Sequence, residues 1–492
     1  MRKGSITLYL SLILLVMLSL LSAAFYSARS AASRAVIASG MEQGLYSLFS
    51  QYDKILYEDY GLMFLDGGYG GSSLSLASLL EETEDYMRYI VNPSKNRLFG
   101  GSLLNITIDG GSVKGYSLAT DNGSAALKKQ IYEVMKLKIG VNGIEAIKNM
   151  LLSDQSTSES QETLKEQYSE AQLEEEYEAL KEQAKEISGS AEDNTAGDAS
   201  SYTEENSQAQ LPDSFENPIE VYQNLMKMGL YASVISDPEN LSTLTVDKSS
   251  MPSRRTLQKG MGLETDSTDG VADQFMLLEY LAEFFPCYTD NTDDTGLKYQ
   301  IEYVITGKEN DMDNLKGVLN RLATLREAAN FVYILTDPQK QAEAEEAALL
   351  ISTILTVPEA QQGVAKLVEL AWAYVESLND LKILLGGGKV PLIKDASSWK
   401  TELGSLSSSM TAADLPNANS SGLDYKWYLR MLLMMKSETV LTAGLTDLLE
   451  YNRKNRGGDN FALDSCISSV ELEISGTYEK LGYTIDRSYA YS

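Results

Sequence analysis

The chain has 492 residues, 43% of them hydrophobic, and 41 basic against 70 acidic side chains give a formal net charge of −29. That is enough apolar content for packed cores, and the wrong sign for a nucleic-acid or anionic-lipid partner of the bulk of the chain. With no histidine and only two cysteines, Cys287 and Cys466, the sequence excludes His-dependent triads, His-ligated metals, a thiolate zinc site and a disulfide framework, so neither metal nor cofactor is expected.

Between Lys3 and Arg29 no side chain is charged, and Ile6 to Phe25 is almost wholly Leu, Ile, Val, Met, Ala and small hydroxyl residues. As a helix this stretch is long enough to cross a hydrocarbon core of about 30 Å, and its Ser and Thr side chains can bond back to the helix backbone. A signal peptide would use Arg2 and Lys3 as its basic end and Ser22-Ala23-Ala24 before a cut between Ala24 and Phe25. Against cleavage, the apolar run exceeds the roughly 7–15 residues of such a signal. Helical character also runs on: Leu45, Leu48, Phe49, Tyr52, Ile55 and Leu56 recur at spacings of three and four. The pattern predicts one continuous helix from near Ile6 to near Tyr60, roughly 80 Å long. Residues 1–27 would be a membrane anchor and 28–66 a helical stalk.

Gly61 and the cluster Gly67, Gly68, Gly70 and Gly71 then predict a turn-rich link. A short helix is expected from Ala77 to Ile90. Leu104, Ile106 and Ile108 alternate with polar residues as in a strand, with Asp109-Gly110-Gly111 read as a turn sending the chain back through Val113 to Leu118, and Ala125 to Leu152 reads as helix. Residues 67–152 thus form the first part of an outer domain. Residues 153–211 differ in kind, since 16 acidic and 3 basic side chains lie between Ser153 and Gln210. The expectation is a solvated acidic insert, with Leu173, Tyr177, Leu180, Ala184 and Ile187 as a short heptad stripe.

Residues 212–492 carry the rest of the domain. An Asn217-Pro218 step starts a helix through Met226, Leu230 to Ser236 reads as a strand, Asp247 to Thr268 as irregular, and Val271 to Phe285 as an amphipathic helix. Tyr299, Ile301, Tyr303 and Ile305 alternate with Gln300, Glu302, Val304 and Thr306, which predicts a strand. From Asp311 to Leu385 the pattern is helical, broken at Asp337-Pro338 as N-cap and first helical residue. Within it Lys366, Glu369, Glu376, Asp380 and Lys382 interrupt the apolar run from Gly363, so that stretch is a core helix and the chain has one span. A helix from Tyr425 to Tyr451 and a hairpin, with Val470, Leu472 and Ile474 in one strand and Tyr483 to Tyr489 in the other, complete the chain.

Little chemistry is suggested. Gly386-Gly387-Gly388-Lys389 lacks the first glycine and the closing Ser or Thr of a phosphate loop, having Ile383 and Val390 there, and reads as a helix C-terminal turn. The pairs Glu81-Glu82 and Asp293-Asp294 read as surface and not as a hydrolase dyad. Cys287 and Cys466 border the core, and two outcomes stay open: buried free thiols, or a disulfide in an oxidising space.

The words KGSITLYLSLILLVMLSLLSAAFYSARSAASRAVI, YDKILYEDYGLMFLD, LKYQIEYVITGKENDMDNLKGVLNRLATLREAANFVYILTDP and LAWAYVESLNDLKILLGGGKVPLIK resemble a bacterial family of single-span, extracytoplasmic proteins, domain of unknown function 5702. The resemblance implies association with TadE- and TadG-like parts of tight-adherence (Flp) pilus systems and no known activity. The start also resembles a prepilin leader, in which Gly4 would precede the cut and Ser5 would become the N-terminus; the fifth mature position, Glu in prepilins, is Tyr9 here.

These readings converge on an α+β protein held by residues 6–25 in membrane lipid, its N-terminus cytoplasmic and its bulk outside. It would have a mainly helical outer domain and a small antiparallel sheet built from residues near 103–118, 298–306 and 468–490. The expected role is a non-enzymatic structural or assembly component of a bacterial envelope system with envelope or pilus proteins as partners. A surface binding module for protein or glycan, or an envelope hydrolase, are the alternatives.

Overall fold

The computed structural model describes residues 3–91, 104, 106–166, 216–235, 237–263, 271–290, 296–355, 360–407 and 421–491. In chain order its elements are α1 (Lys3–Phe49), α2 (Lys54–Tyr60), β1 (Leu65–Asp66), α3 (Leu76–Val91), β2 (Ile106–Leu118), α4 (Asp121–Ile139), α5 (Val141–Glu166), α6 (Pro218–Met228) and α7 (Leu230–Val234). There follow α8 (Val271–Phe284), α9 (Gln300–Thr306), α10 (Asp311–Thr336), α11 (Pro338–Ile354), α12 (Gln361–Leu385), α13 (Tyr425–Met434), α14 (Glu438–Asn455), β3 (Cys466–Tyr478) and β4 (Leu481–Ala490). This is the expected α+β class. The chain divides into two compact units, one made of residues 1–138, 248–277 and 442–492, the other of 139–247 and 278–441.

The first unit is built on an antiparallel sheet with β3 at its centre, β2 on one side and β4 and β1 on the other. The hairpin expected at the C-terminus is present: β3 and β4 pair without a register break from Tyr478–Leu481 to Ser469–Ala490. The turn expected at Asp109-Gly110-Gly111 is not. The chain runs straight through as one strand, and the register slips between Ile108 and Gly110, so Asp109 is a bulge. Its carboxylate accepts hydrogen bonds from the Thr477 and Thr107 hydroxyls, and a side chain at Gly111 would meet the Glu473 carbonyl oxygen at 2.6 Å. Glycine stands there because two strands approach closely, not because the chain reverses.

The helix predicted to run to Tyr60 ends at Phe49. Asp53 then caps α2, its carboxylate accepting from the Leu56 amide at 2.9 Å, while its other oxygen pairs with Arg453 at 2.7 Å. The second half of α1 does not stand free as a stalk would. Ile37, Met41, Leu45, Leu48 and Phe49 are buried in one cluster with Leu79, Met87 and Val91 of α3 and Val470, Leu472 and Ile474 of β3. Gly40 and Gly44 let α3 come close: a Cβ on Gly40 would lie 2.7 Å from Val91 Cγ2, and one on Gly44 3.1 Å from Met87 Cγ.

The second unit is helical, with α12 at its centre against α10, α11, α6 and α7, and with α5 and α9 against α10. Nearly every residue of α12 from Val364 to Leu384 is buried, which is why its apolar residues ring the helix instead of forming one stripe. The Asp337 cap and Pro338 start are as expected, with the Asp337 carboxylate accepting from the Gln339 and Lys340 amides. Gly386 to Gly388 is a helix C-terminal turn, the Gly388 amide bonding back to the Ile383 carbonyl. The helix expected across 425–451 is two, α13 and α14. That expected across 125–152 breaks at Gly140, whose φ is +73°.

Two predicted strands are helices. Residues 300–306 form α9 with Tyr299 as its N-cap, and Gln300 to Ile305 of both alternating sets are buried: Gln300 bonds to the Leu297 carbonyl, and Glu302 accepts from the Tyr288 amide and the Tyr425 hydroxyl. The polar members of the alternation are paired inside the fold and do not face solvent, so the period of two carried no strand information. Residues 230–234 form the short α7, entered through Gly229 at φ +87°. A short apolar run of this kind fits strand or helix equally well by periodicity. Of the acidic segment, residues 153–166 continue α5; the heptad stripe from Leu173 to Ile187 lies outside the described residues, as does Asp293-Asp294.

Candidate functional site

The element that can act on something outside the fold is the first half of α1. From Ile6 to Ala28 every residue is exposed, including Leu15 at 68% and Leu21 at 70%, and the Ser11 and Ser19 hydroxyls donate to the carbonyls of Leu8 and Val16. A helix that satisfies its own backbone, bonds these hydroxyls back to it and presents an uncharged, mostly apolar surface is suited to a bilayer. It is the one helix among the described residues that is long and apolar enough to cross a membrane. Its far end is fixed: Ser30 and the Tyr483 hydroxyl of β4 are 2.6 Å apart, Arg29 lies over the Phe25 and Tyr478 rings, and Phe49 packs on Tyr489 and Tyr491. Gly4 and Ser5 fall in the first turns of this helix, and Ala24 and Phe25 in its middle, with no break in the helix at either position.

The two cysteines are buried free thiols, Cys287 in the second unit and Cys466 at the start of β3 in the first. Burial pushes the Cys287 thiol up to about 12, helped by the neighbouring Glu302 carboxylate. The Cys466 thiol is raised by burial and then by Asp66. Neither is set up as a thiolate nucleophile. Glu81 is exposed on α3, and Glu82 accepts a hydrogen bond from Gln51.

Each unit also contains a buried charge cluster that sequence reasoning missed. In the first, Arg255 reaches from the irregular 248–263 segment to bind Glu450 of α14 bidentately, both contacts 2.7 Å, and also pairs with Asp464. Glu450 further accepts from Lys454 and the Leu463 amide, and Asp464 from the Gln258 amide. Ser253 donates to Asp447 at 2.6 Å. These contacts pin an otherwise irregular segment, and Arg255, Glu450 and Asp464 line a cleft of about 550 Å³ together with Ser72, Ser73 and Asn460.

In the second unit Arg326 of α10 bonds Asp380 of α12 at 3.0 Å, and Asn330 donates to the same carboxylate oxygen at 3.0 Å. Lys394 meets the other Asp380 oxygen at 2.6 Å and also contacts Glu376, one turn earlier on α12. Side-chain exposure is 0% or 1% at all four charged residues. The Lys400 and Thr401 amides hold Glu376, and Trp399 lies beside Lys394. In the same unit Glu302 is buried with Oε1 doubly hydrogen-bonded and Oε2 without a hydrogen-bond partner among the described residues. For the α12 cluster alone the signal was present in the sequence: Glu376 and Asp380 in an apolar helix argue against a span, and equally for partners in the core.

The model of a family of unknown function, DUF5702, matches residues 208–478. No curated protein and no solved structure matches the chain.

Proposed function

On the premise that the chain belongs to the family of unknown function DUF5702, we propose that it is a membrane-anchored, extracytoplasmic structural or assembly component of a bacterial envelope system, of the kind associated with TadE/TadG-like pilus machinery. The observation that carries the reading is α1: an exposed apolar half continuing without interruption into a half buried against an antiparallel sheet. A helix of that construction transmits position rigidly from a bilayer to a folded head, the layout of a pseudopilin-like protein. In this reading residues 6–25 contact membrane lipid, the N-terminus is cytoplasmic, and the remainder lies outside among envelope proteins. The flanking charges, Arg2 and Lys3 against Arg29 and Arg34, are balanced. The orientation therefore rests on the export-like basic start and on long domains translocating largely regardless of charge. Deleting the gene and scoring surface fibres tests it: loss or shortening of fibres is expected. Unaltered fibres with lost adhesion would leave a surface binding module instead.

A further inference from the structure

The cluster around Lys394 is more than a buried ion pair. We infer that the Lys394 ammonium and the Asp380 carboxylate condense to an intramolecular amide, with Glu376 as proton carrier, cross-linking the 386–400 segment to α12.

Three features of the site lead there. The amine and the carboxylate adjoin: Lys394 Nζ is 2.6 Å from Asp380 Oδ1, so the nitrogen is held against the group whose carbon it would attack. The site is dry, with side-chain exposure of no more than 1% at Lys394, Asp380, Glu376 and Arg326, so the amine and the carboxylate meet without competing water. The donors are divided between the two carboxylate oxygens. Oδ2 is held by Arg326 Nε and Asn330 Nδ2, each at 3.0 Å, which is where an oxyanion would form, while Oδ1 faces the amine and is free to leave. Glu376 contacts the same Nζ and is fixed by the Lys400 and Thr401 amides at 3.0 and 2.9 Å.

The step balances within these groups. One ammonium proton passes through Glu376 to Oδ1, giving a neutral amine opposite a carboxylic acid. The Nζ lone pair forms the bond to Cγ and the C–Oδ2 electron pair moves onto Oδ2. A second nitrogen proton follows through Glu376 to Oδ1, the C–Oδ1 bond breaks, and water departs. One proton stays on the amide nitrogen, Glu376 ends as the carboxylate it began as, and Arg326 remains its counter-charge in the cluster. Burial pushes the Asp380 carboxyl up, but Lys394 and Arg326 outweigh it and hold the group below its usual range; the starting state is therefore the ion pair. Condensation of an amine with a carboxylate is unfavourable in water. Here the enforced geometry lowers the barrier, and replacing a desolvated ion pair by a neutral amide, with water released, favours the product.

The test is the intact mass of the full-length chain, extracted in detergent and denatured with reductant. The expected mass is one water below that of the sequence with its observed N-terminus, and digestion yields a branched peptide joining Lys394 to Asp380. Glu376→Gln, checked for folding by circular dichroism, is expected to recover the full mass, as is Lys394→Arg. A wild-type mass with no water lost would overturn the inference and leave a buried ion-pair network only; a branch mapped to Glu376 would overturn the assignment of roles.

Discussion

Glu302 shows how far burial alone changes a side chain. Burial raises its carboxyl from the ordinary value of 4.5 to about 7, against the opposing hydrogen bonds from the Tyr288 amide and the Tyr425 hydroxyl, with Asp311 adding to the rise. The folded chain thus binds this proton more tightly than the unfolded one, so the stability it contributes is complete below about pH 4.5 and is lost as pH rises through about 7. Glu302→Gln keeps the shape and removes the charge. Urea unfolding at about pH 5 and about pH 8 should show the wild type losing up to about 3 kcal/mol from this group, and the variant losing less; parallel losses would show that Glu302 does not titrate in this window. Arg255 makes the converse case. Arg255→Ala leaves Glu450 and Asp464, exposed by 0% and 3%, without their main counter-charge. A loss of about 3–5 kcal/mol in the same measurement is expected, whereas a change under about 1 kcal/mol would mean that the segment is held by other contacts. Neither role was legible in the sequence, because Arg255 and Glu450 are brought together only by the fold.

At the scale of elements, legibility followed how many independent signals agreed. The Asp337-Pro338 and Asn217-Pro218 starts each combined a cap with a proline at the first helical position, the β3–β4 hairpin rested on a sustained alternation, and each is present. Residues 299–306 offered a period of two and nothing else, and it was produced by buried polar residues whose partners, Tyr288 and Tyr425, lie elsewhere in the chain. The end of α1 at Phe49 was hidden because Tyr52, Ile55 and Leu56 keep the helical spacing while Asp53 caps a new helix. The glycines of α1 give the test of its packing. Gly40→Val places a branched side chain against Val91 and should cost about 1–3 kcal/mol by overpacking, although valine is intrinsically the better helix residue. A stabilised variant in thermal unfolding would mean that α1 and α3 are not in close contact.

At the scale of the molecule, the first unit is assembled from three separate stretches of chain, and β2 and β3 meet across more than three hundred residues with eleven paired positions. The alternation within each strand was readable in advance, but their pairing depended on the tertiary fold. A protease site engineered between residues 167 and 215 therefore should not release the N-terminal piece: after cleavage both fragments are expected to co-elute under native conditions and to separate in urea. Prompt separation without denaturant would show that the ladder does not hold the unit together. The stretch from Ile6 to Phe25 was the most legible feature of the chain, since twenty uncharged and mostly apolar residues in a row require no partner to be recognised, and the proposed role depends on their remaining attached to the head.

That attachment is most directly tested by the N-terminus of the protein recovered from washed membranes, read by mass spectrometry of its terminal peptide. A chain that retains residues 6–25 is expected, beginning at Met1 if the helix is a simple anchor or at Ser5 if it is processed as a prepilin. A chain beginning at Phe25 would show that the apolar half of α1 is removed, and would contradict the anchored reading.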